Sequence, residues 1–144
     1  MHRRIKRKKN RTLSCGNMHI VDTYAWLEYF IGSKKGEKAA VIIDDPNEPL
    51  ITLECCLAEL RGWTLREEQD FTELYAIVKG NSEIASVLTR LWIRAAEIKH
   101  EVRKTVPGFG LIDSLILAVQ EEEHCKVLTG DPHFEGMRDV VFLK

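Results

Sequence analysis

The 144-residue sequence lacks the features that define several large protein classes. It has no apolar run near the roughly 18 residues of a membrane helix, and no apolar segment follows its basic start as in a secretory signal. It has four cysteines (Cys15, Cys55, Cys56 and Cys125), and no Cys/His set has zinc-finger spacing. Glycine-rich phosphate-binding motifs and internal repeats are also absent. We therefore expect a cytoplasmic protein with free thiols and no membrane partner.

The formal net charge of −1 conceals two unlike parts of the chain. Residues 1–17 hold seven lysines and arginines and no acid, whereas residues 18–144 carry a net charge of −8. We expect a basic N-terminal arm at 1–17 and one globular domain at 18–144. The arm is either a disordered tail that binds nucleic acid or an extension ahead of a true start at Met18. We favour the extension, because a strand pattern begins directly after Met18.

Short apolar strands alternate with helical patterns through residues 18–144. We predict strands at 19–21, 49–52, 126–129 and 140–143, and helices at 23–31, 36–44, 53–68, 69–79, 82–104 and 111–123. The helix over 82–104 has the clearest apolar stripe, with Ser82 as its N-cap and Trp92 in the core. This alternation predicts a three-layer α/β/α fold around a short, mostly parallel sheet.

Four acidic residues stand out by their positions in this pattern. Asp22 and Asp131 directly follow predicted strands, and ligands of open parallel sheets bind beyond the carboxyl ends of the strands. Asp113 lies in the first turn of an apolar helix, where the helix dipole alone would account for it, and Glu59 follows the second strand. Each acid alone is more commonly a cap or a surface charge. Four carboxylates in one place, however, need a divalent cation, and oxygen ligands favour Mg²⁺ or Mn²⁺.

The segments around these acids are Met-His-Ile-Val-Asp22-Thr23, Leu-Ala-Glu59-Leu-Arg61, Leu-Ile-Asp113-Ser-Leu and Leu-Thr129-Gly-Asp131-Pro-His133-Phe. In this order they resemble the acidic motifs of PIN-domain ribonucleases, especially the VapC-type toxins, over residues 18–144. The resemblance implies a PIN-like fold and a metal-dependent endoribonuclease whose four acids bind the metal. It also implies that Thr129 orients the last acid and Thr23 the first. A homodimer, an RNA substrate and a cognate antitoxin are the implied partners.

Two further residues near these motifs carry alternative roles. Many members of that family have another acid two residues after the last one, where this chain has His133. An imidazole there could bind metal, contact phosphate or serve a structural turn, and its presence puts a two-metal mechanism in question. Arg61 could bind an RNA phosphate or form a surface salt bridge.

Other functions stay open at this stage. A PIN-like module that binds metal or protein without cleaving RNA is one alternative, and an RNA-processing nuclease that is not a toxin is another. A phosphatase or phosphoacceptor domain is a third possibility. The sequence Asp22-Thr23-Tyr24 lacks the Asp-x-Asp motif of haloacid-dehalogenase phosphatases, which counts against it.

Overall fold

The computed structural model describes residues 17–144, so the predicted basic arm lies, apart from Asn17, outside the described residues. The strands are β1 (His19–Val21), β2 (Leu50–Leu53), β3 (Glu83–Ala85), β4 (Lys126–Thr129) and β5 (Val140–Phe142). The helices are α1 (Thr23–Ile31), α2 (Lys34–Ile43), α3 (Glu54–Arg66), α4 (Phe71–Asn81), α5 (Thr89–Val102) and α6 (Leu111–Glu123). A 3₁₀ turn, Pro132–Phe134, follows β4.

The five strands form one sheet in the order β3-β2-β1-β4-β5, and every neighbouring pair is parallel. The predicted α/β class is confirmed, and the sheet is parallel throughout rather than mostly so. The chain builds outward from β1 to β3 and then returns to place β4 on the other side of β1. The strand order therefore reverses between β1 and β4, which is where open sheets of this kind bind their ligands.

Helices cover both faces of the sheet and give the predicted three layers. Buried residues of α1 to α4 pack with Val21, Leu50 and Leu128 on one face. Ile20, Ile51 and Val127 pack with α6 and Phe109 on the other face, and α5 packs against α6. Successive strand residues point to opposite faces, and both faces are buried, so these strands consist almost wholly of apolar residues.

Hydrogen bonds between buried side chains link α1 to the end of α4 through a threonine of β2. The Trp26 indole donates to the Thr52 hydroxyl at 3.0 Å, and the hydroxyls of Thr52 and Ser82 lie 2.7 Å apart. The Ser82 hydroxyl donates to the Val78 carbonyl at 2.8 Å, so Thr52 supplies the proton between the two hydroxyls. We call this set the hydroxyl chain. Each polar side-chain atom in it has a partner, as buried polar groups require.

The predicted helix over 82–104 is wrong at its beginning. Residues 83–85 form the edge strand β3, in which Ile84 lies opposite Thr52, and the helix starts only at Thr89. Ser82 is the C-cap residue of α4 rather than an N-cap. Apolar residues at 84, 87, 88 and 91 match a helical spacing, whereas a three-residue strand is too short to show alternation. Pairing with β2 therefore overrides the local pattern.

Trp92 is also not a core residue, because 37% of it is exposed. The face of α5 that contacts α6 is formed by Ala95 and Ile98, with Leu91 packed against them. Trp92 lies beside that face instead of within it. Within residues 17–144, no helix combines the length and apolar character needed to cross a membrane.

Candidate metal centre

Asp22 and Asp131 lie beyond the carboxyl ends of the adjacent strands β1 and β4, at the point where the strand order reverses. Asp22 is 5% exposed, and its two carboxylate oxygens accept bonds from the Thr23 amide and the Thr129 hydroxyl, both at 2.8 Å. The Thr129 hydroxyl also accepts a bond from the Asp131 amide at 3.0 Å. Thr129 therefore holds both strand-end acids in one arrangement.

Burial raises the pKa of Asp22 to about 7. The bond from Thr129 opposes this rise because it stabilises the charged form, but the negative charges of Asp113 and Glu59 add to it. A carboxyl group with this pKa is poised between its charged and neutral forms near neutral pH. A cation beside it would favour the charged form.

Glu59 lies on α3 and is the exposed member of the four acids. The Thr23 hydroxyl donates to its Oε1 at 2.7 Å, so the side chain of Thr23 holds Glu59 and its backbone amide holds Asp22. Desolvation raises the pKa of Glu59, and the charges of Asp113 and Asp131 raise it further. The two bonds of Thr23 therefore place Glu59 beside Asp22.

Asp113 combines a capping role with a place in the site. It lies in the first turn of α6, and its Oδ2 accepts a bond from the Gly110 amide at 3.2 Å. Desolvation raises its pKa, the Gly110 bond lowers it, and the charge of Asp131 raises it again. The cap that the helix dipole predicts is therefore present, and it fixes a carboxylate at the site.

His133 follows the last acid and faces the same cluster. Its Nδ1 lies 3.4 Å from Asp131 Oδ1 and 3.7 Å from Asp113 Oδ2. One ligand atom from each of these three residues fits within a span of 4.8 Å. Asp131 Oδ1 also accepts a bond from the His133 amide at 2.9 Å, which begins the 3₁₀ turn.

Arg61 does not join these groups. Its guanidinium lies 5.4 Å from the centre of the Phe71 ring, on the exposed side of α3 where α4 begins. Among the described residues Arg61 forms no salt bridge, which was the predicted alternative. Binding of an RNA phosphate by Arg61 remains a prediction.

Two glycines contribute to the site in ways that the sequence reading missed. The Gly110 amide anchors Asp113, and Gly110 directly precedes the predicted helix over 111–123. Gly130 separates Thr129 from Asp131, and a Cβ there would lie 2.6 Å from Cε1 of Tyr24. The absence of a side chain at Gly130 lets the Tyr24 ring pack against the strand end beside Asp131.

The four acids of this site can carry only negative charge, and this determines which ligands they bind. No lysine or arginine within residues 17–144 forms an ion pair with any of the four acids, and only His133 approaches two of them. Like charges this close favour a bound cation, and carboxylate oxygens are the ligands that Mg²⁺ and Mn²⁺ take. The buried, unpartnered Nδ1 of His133 adds a further donor atom facing the cluster. The residues present therefore fit a divalent cation.

Fold and site together define a doubly wound α/β domain with carboxylates gathered where its strand order reverses. The PIN domain model matches residues 19–140. Since this match covers most of the chain, the protein belongs to the PIN domain family.

Solved structures with the same fold come from several toxin–antitoxin systems. A toxin–antitoxin complex from Klebsiella pneumoniae has a TM-score of 0.68 at 18% identity, covering 88% of this chain and 98% of that chain. VapC20 of Mycobacterium tuberculosis, described as a toxin that cleaves the sarcin–ricin loop, has a TM-score of 0.68 at 19% identity, with coverage of 85% and 98%.

A third structure, VapBC2 of Rickettsia felis bound to a promoter DNA fragment, has a TM-score of 0.65 at 15% identity, with coverage of 87% and 96%. No curated protein sequence matches the chain significantly. At these identities, the structural similarity establishes the fold.

Proposed function

We propose that this protein is a metal-dependent endoribonuclease that hydrolyses RNA phosphodiester bonds and acts as the toxin of a type II toxin–antitoxin pair. The observation that carries the proposal is the convergence of Asp22, Glu59, Asp113 and Asp131 from four separate segments, without a lysine or arginine to balance them. Membership of the PIN family and the similarity to toxin structures support it.

Asp113 and Asp131 are the acids best placed to hold Mg²⁺ or Mn²⁺, with Asp22 behind them and Glu59 at the exposed side. The chemistry that a bound divalent cation supplies is activation of water and neutralisation of charge on a phosphodiester. Thr129 and Gly110 hold three of the acids in position before substrate binds, through bonds to Asp22, Asp131 and Asp113. Such preorganisation keeps the carboxylates from rearranging during the reaction.

The test is cleavage of RNA with Mg²⁺ or Mn²⁺, with and without EDTA, by the wild type and by Asp113→Asn. Asp70→Asn is a matched control, because Asp70 also binds backbone amides at a helix start, away from the site. We expect cleavage by the wild type and by Asp70→Asn, and a loss of about 10²–10³-fold or more in Asp113→Asn. Equal cleavage by Asp113→Asn, or cleavage that survives EDTA, would contradict the proposed mechanism.

The proposed partners can be tested separately from the chemistry. One of the structural neighbours cleaves the sarcin–ricin loop, so this RNA is a rational first substrate. Structural neighbours that are toxin–antitoxin complexes support a cognate antitoxin. We expect expression of the chain in the cytoplasm to arrest growth and co-expression of the antitoxin to relieve the arrest. Cleavage without growth arrest would favour an RNA-processing nuclease, and light scattering would test the homodimer.

A further inference from the structure

The ring of His133, whose side chain is 39% exposed, lies between Phe109 and Gly108, and its backbone is anchored at the site. Its plane meets that of Phe109 at 69°, with ring centres 6.3 Å apart. On another side its Nε2 lies close to Gly108, where an added Cβ would be 3.7 Å away. The bond from the His133 amide to Asp131 fixes the backbone below the ring. In this orientation Nδ1 faces the carboxylates of Asp113 and Asp131.

The Nδ1 atom is buried and has no hydrogen-bond partner. A buried nitrogen without a partner is costly, so its position calls for an explanation. Its distances of 3.4 Å and 3.7 Å to the oxygens of Asp131 and Asp113 are long for direct hydrogen bonds. A shift of less than about 1 Å would bring these atoms to the spacing of roughly 3.0 Å between neighbouring ligands of an octahedral ion bound at about 2.1 Å, the geometry of Mg²⁺ and Mn²⁺.

We propose that His133 binds the metal through Nδ1, together with Asp113 and Asp131, and that this mixed nitrogen and oxygen set makes the site prefer Mn²⁺ over Mg²⁺. Mn²⁺ belongs to the first-row ions that bind sites with nitrogen as well as oxygen ligands, although more weakly than the later ions of that row, whereas Mg²⁺ takes oxygen ligands and keeps much of its water. The proposal concerns the same site as the proposed nuclease and rests on its occupation by a metal. It does not require that RNA be cleaved.

The experiment measures Mn²⁺ binding to the full-length protein without RNA. Titration followed by EPR gives the dissociation constant for Mn²⁺, and competition gives that for Mg²⁺. Pulsed EPR then reports whether an imidazole nitrogen is bound directly to the Mn²⁺. The variants are His133→Asp, which makes the set all oxygen, and His133→Gln, which removes the imidazole but keeps a polar side chain. His100→Gln, on the exposed side of α5, is the matched control.

We expect the wild type and His100→Gln to bind Mn²⁺ at least about tenfold more tightly than Mg²⁺, with a nitrogen signal from one imidazole. Both His133 variants should lose that signal, and His133→Asp should reduce the Mn²⁺ preference by about tenfold. An unchanged preference in His133→Asp, no nitrogen signal in the wild type, or no Mn²⁺ binding at all would overturn the inference.

The outcomes separate this inference from the proposed function. Metal-dependent RNA cleavage without a nitrogen signal would leave the nuclease intact and remove His133 from the ligand set. A nitrogen signal in a protein that cleaves no RNA would support the ligand assignment and contradict the nuclease.

Discussion

Two groups of polar side chains near the central strands, one packed against β2 and the other beyond the ends of β1 and β4, are built in opposite ways. The hydroxyl chain of Trp26, Thr52 and Ser82 is buried, and each of its side-chain polar atoms has a partner. The carboxylate cluster of Asp22, Glu59, Asp113 and Asp131 holds charges of one sign, and burial raises the pKa of Asp22 to about 7. The first arrangement stabilises the fold. The raised pKa values of the second imply that it destabilises the metal-free protein near neutral pH. Carboxyl groups perturbed in this way are typical of functional sites.

The substitution with the largest expected effect on this contrast is Asp22→Asn. We expect RNA cleavage to fall by about 10²–10³-fold or more, because an amide is a weaker metal ligand than a carboxylate. We also expect the metal-free variant to be more stable at pH 7, by up to about 4 kcal/mol, the free energy that corresponds to a pKa of about 7 instead of 3.8. Urea unfolding in EDTA measures the second effect. A less stable variant would show that the bonds that both Asp22 oxygens accept from Thr23 and Thr129 outweigh the cost of the buried charge.

The pH dependence of stability gives the next test. A carboxyl group whose pKa is higher in the folded than in the unfolded protein binds more protons when folded, so raising the pH destabilises the fold. For Asp22 this loss falls between about pH 4 and pH 7, and the raised pKa values of Glu59 and Asp113 act in the same direction. The lowered pKa values of His19 and Glu101 act in the opposite direction, so the contribution of Asp22 is measured against Asp22→Asn. We expect the stability of the wild type in EDTA to fall relative to that of Asp22→Asn between about pH 4 and pH 7, and Mn²⁺ to restore it at pH 7. A constant difference between the two proteins across this range would contradict the assignment.

Thr52→Val tests the other side of the contrast. The substitution leaves the buried Trp26 indole without a partner and removes the bond that the Ser82 hydroxyl accepts, although Ser82 still donates to the Val78 carbonyl. We therefore expect a loss of about 1–3 kcal/mol in unfolding free energy. Thr64→Val is the matched control, since Thr64 is equally buried but its hydroxyl donates only to the Arg61 carbonyl in its own helix. The Tm of Thr52→Val should lie several degrees below that of Thr64→Val. Cleavage per folded molecule should stay unchanged in both.

Arg61→Gln should give the smallest effect. Its contact with the Phe71 ring is exposed and is worth about 0.5–1 kcal/mol. If Arg61 also contacts a phosphate, the salt dependence of RNA binding by the inactive Asp113→Asn protein should weaken by about one contact. An unchanged salt dependence would remove Arg61 from the RNA-binding surface and leave it as a packing residue.

The sequence located much of the site because strand ends and helix starts leave local signals. Asp22, Asp131 and Asp113 were found from such signals, and the five parallel strands bring them together as the alternating pattern predicted. The exact partners of the two threonines were not predictable, since the Thr129 hydroxyl donates to Asp22 across the sheet and the Thr23 hydroxyl donates to Glu59. These bonds depend on tertiary placement. Strand β3 was not predicted for the same reason, because it is defined by its pairing with β2.

The hydrogen bond between Thr129 and Asp22 joins residues 107 positions apart in the chain. The centre that contains them is therefore assembled only after almost all of the domain has emerged from the ribosome and β4 has inserted beside β1. Contacts between residues far apart in the sequence form more slowly than the local contacts within a helix. A nascent or truncated chain that ends before Thr129 lacks Asp131 as well. We therefore expect the proposed activity to appear only late in biosynthesis, after β4 has joined the sheet.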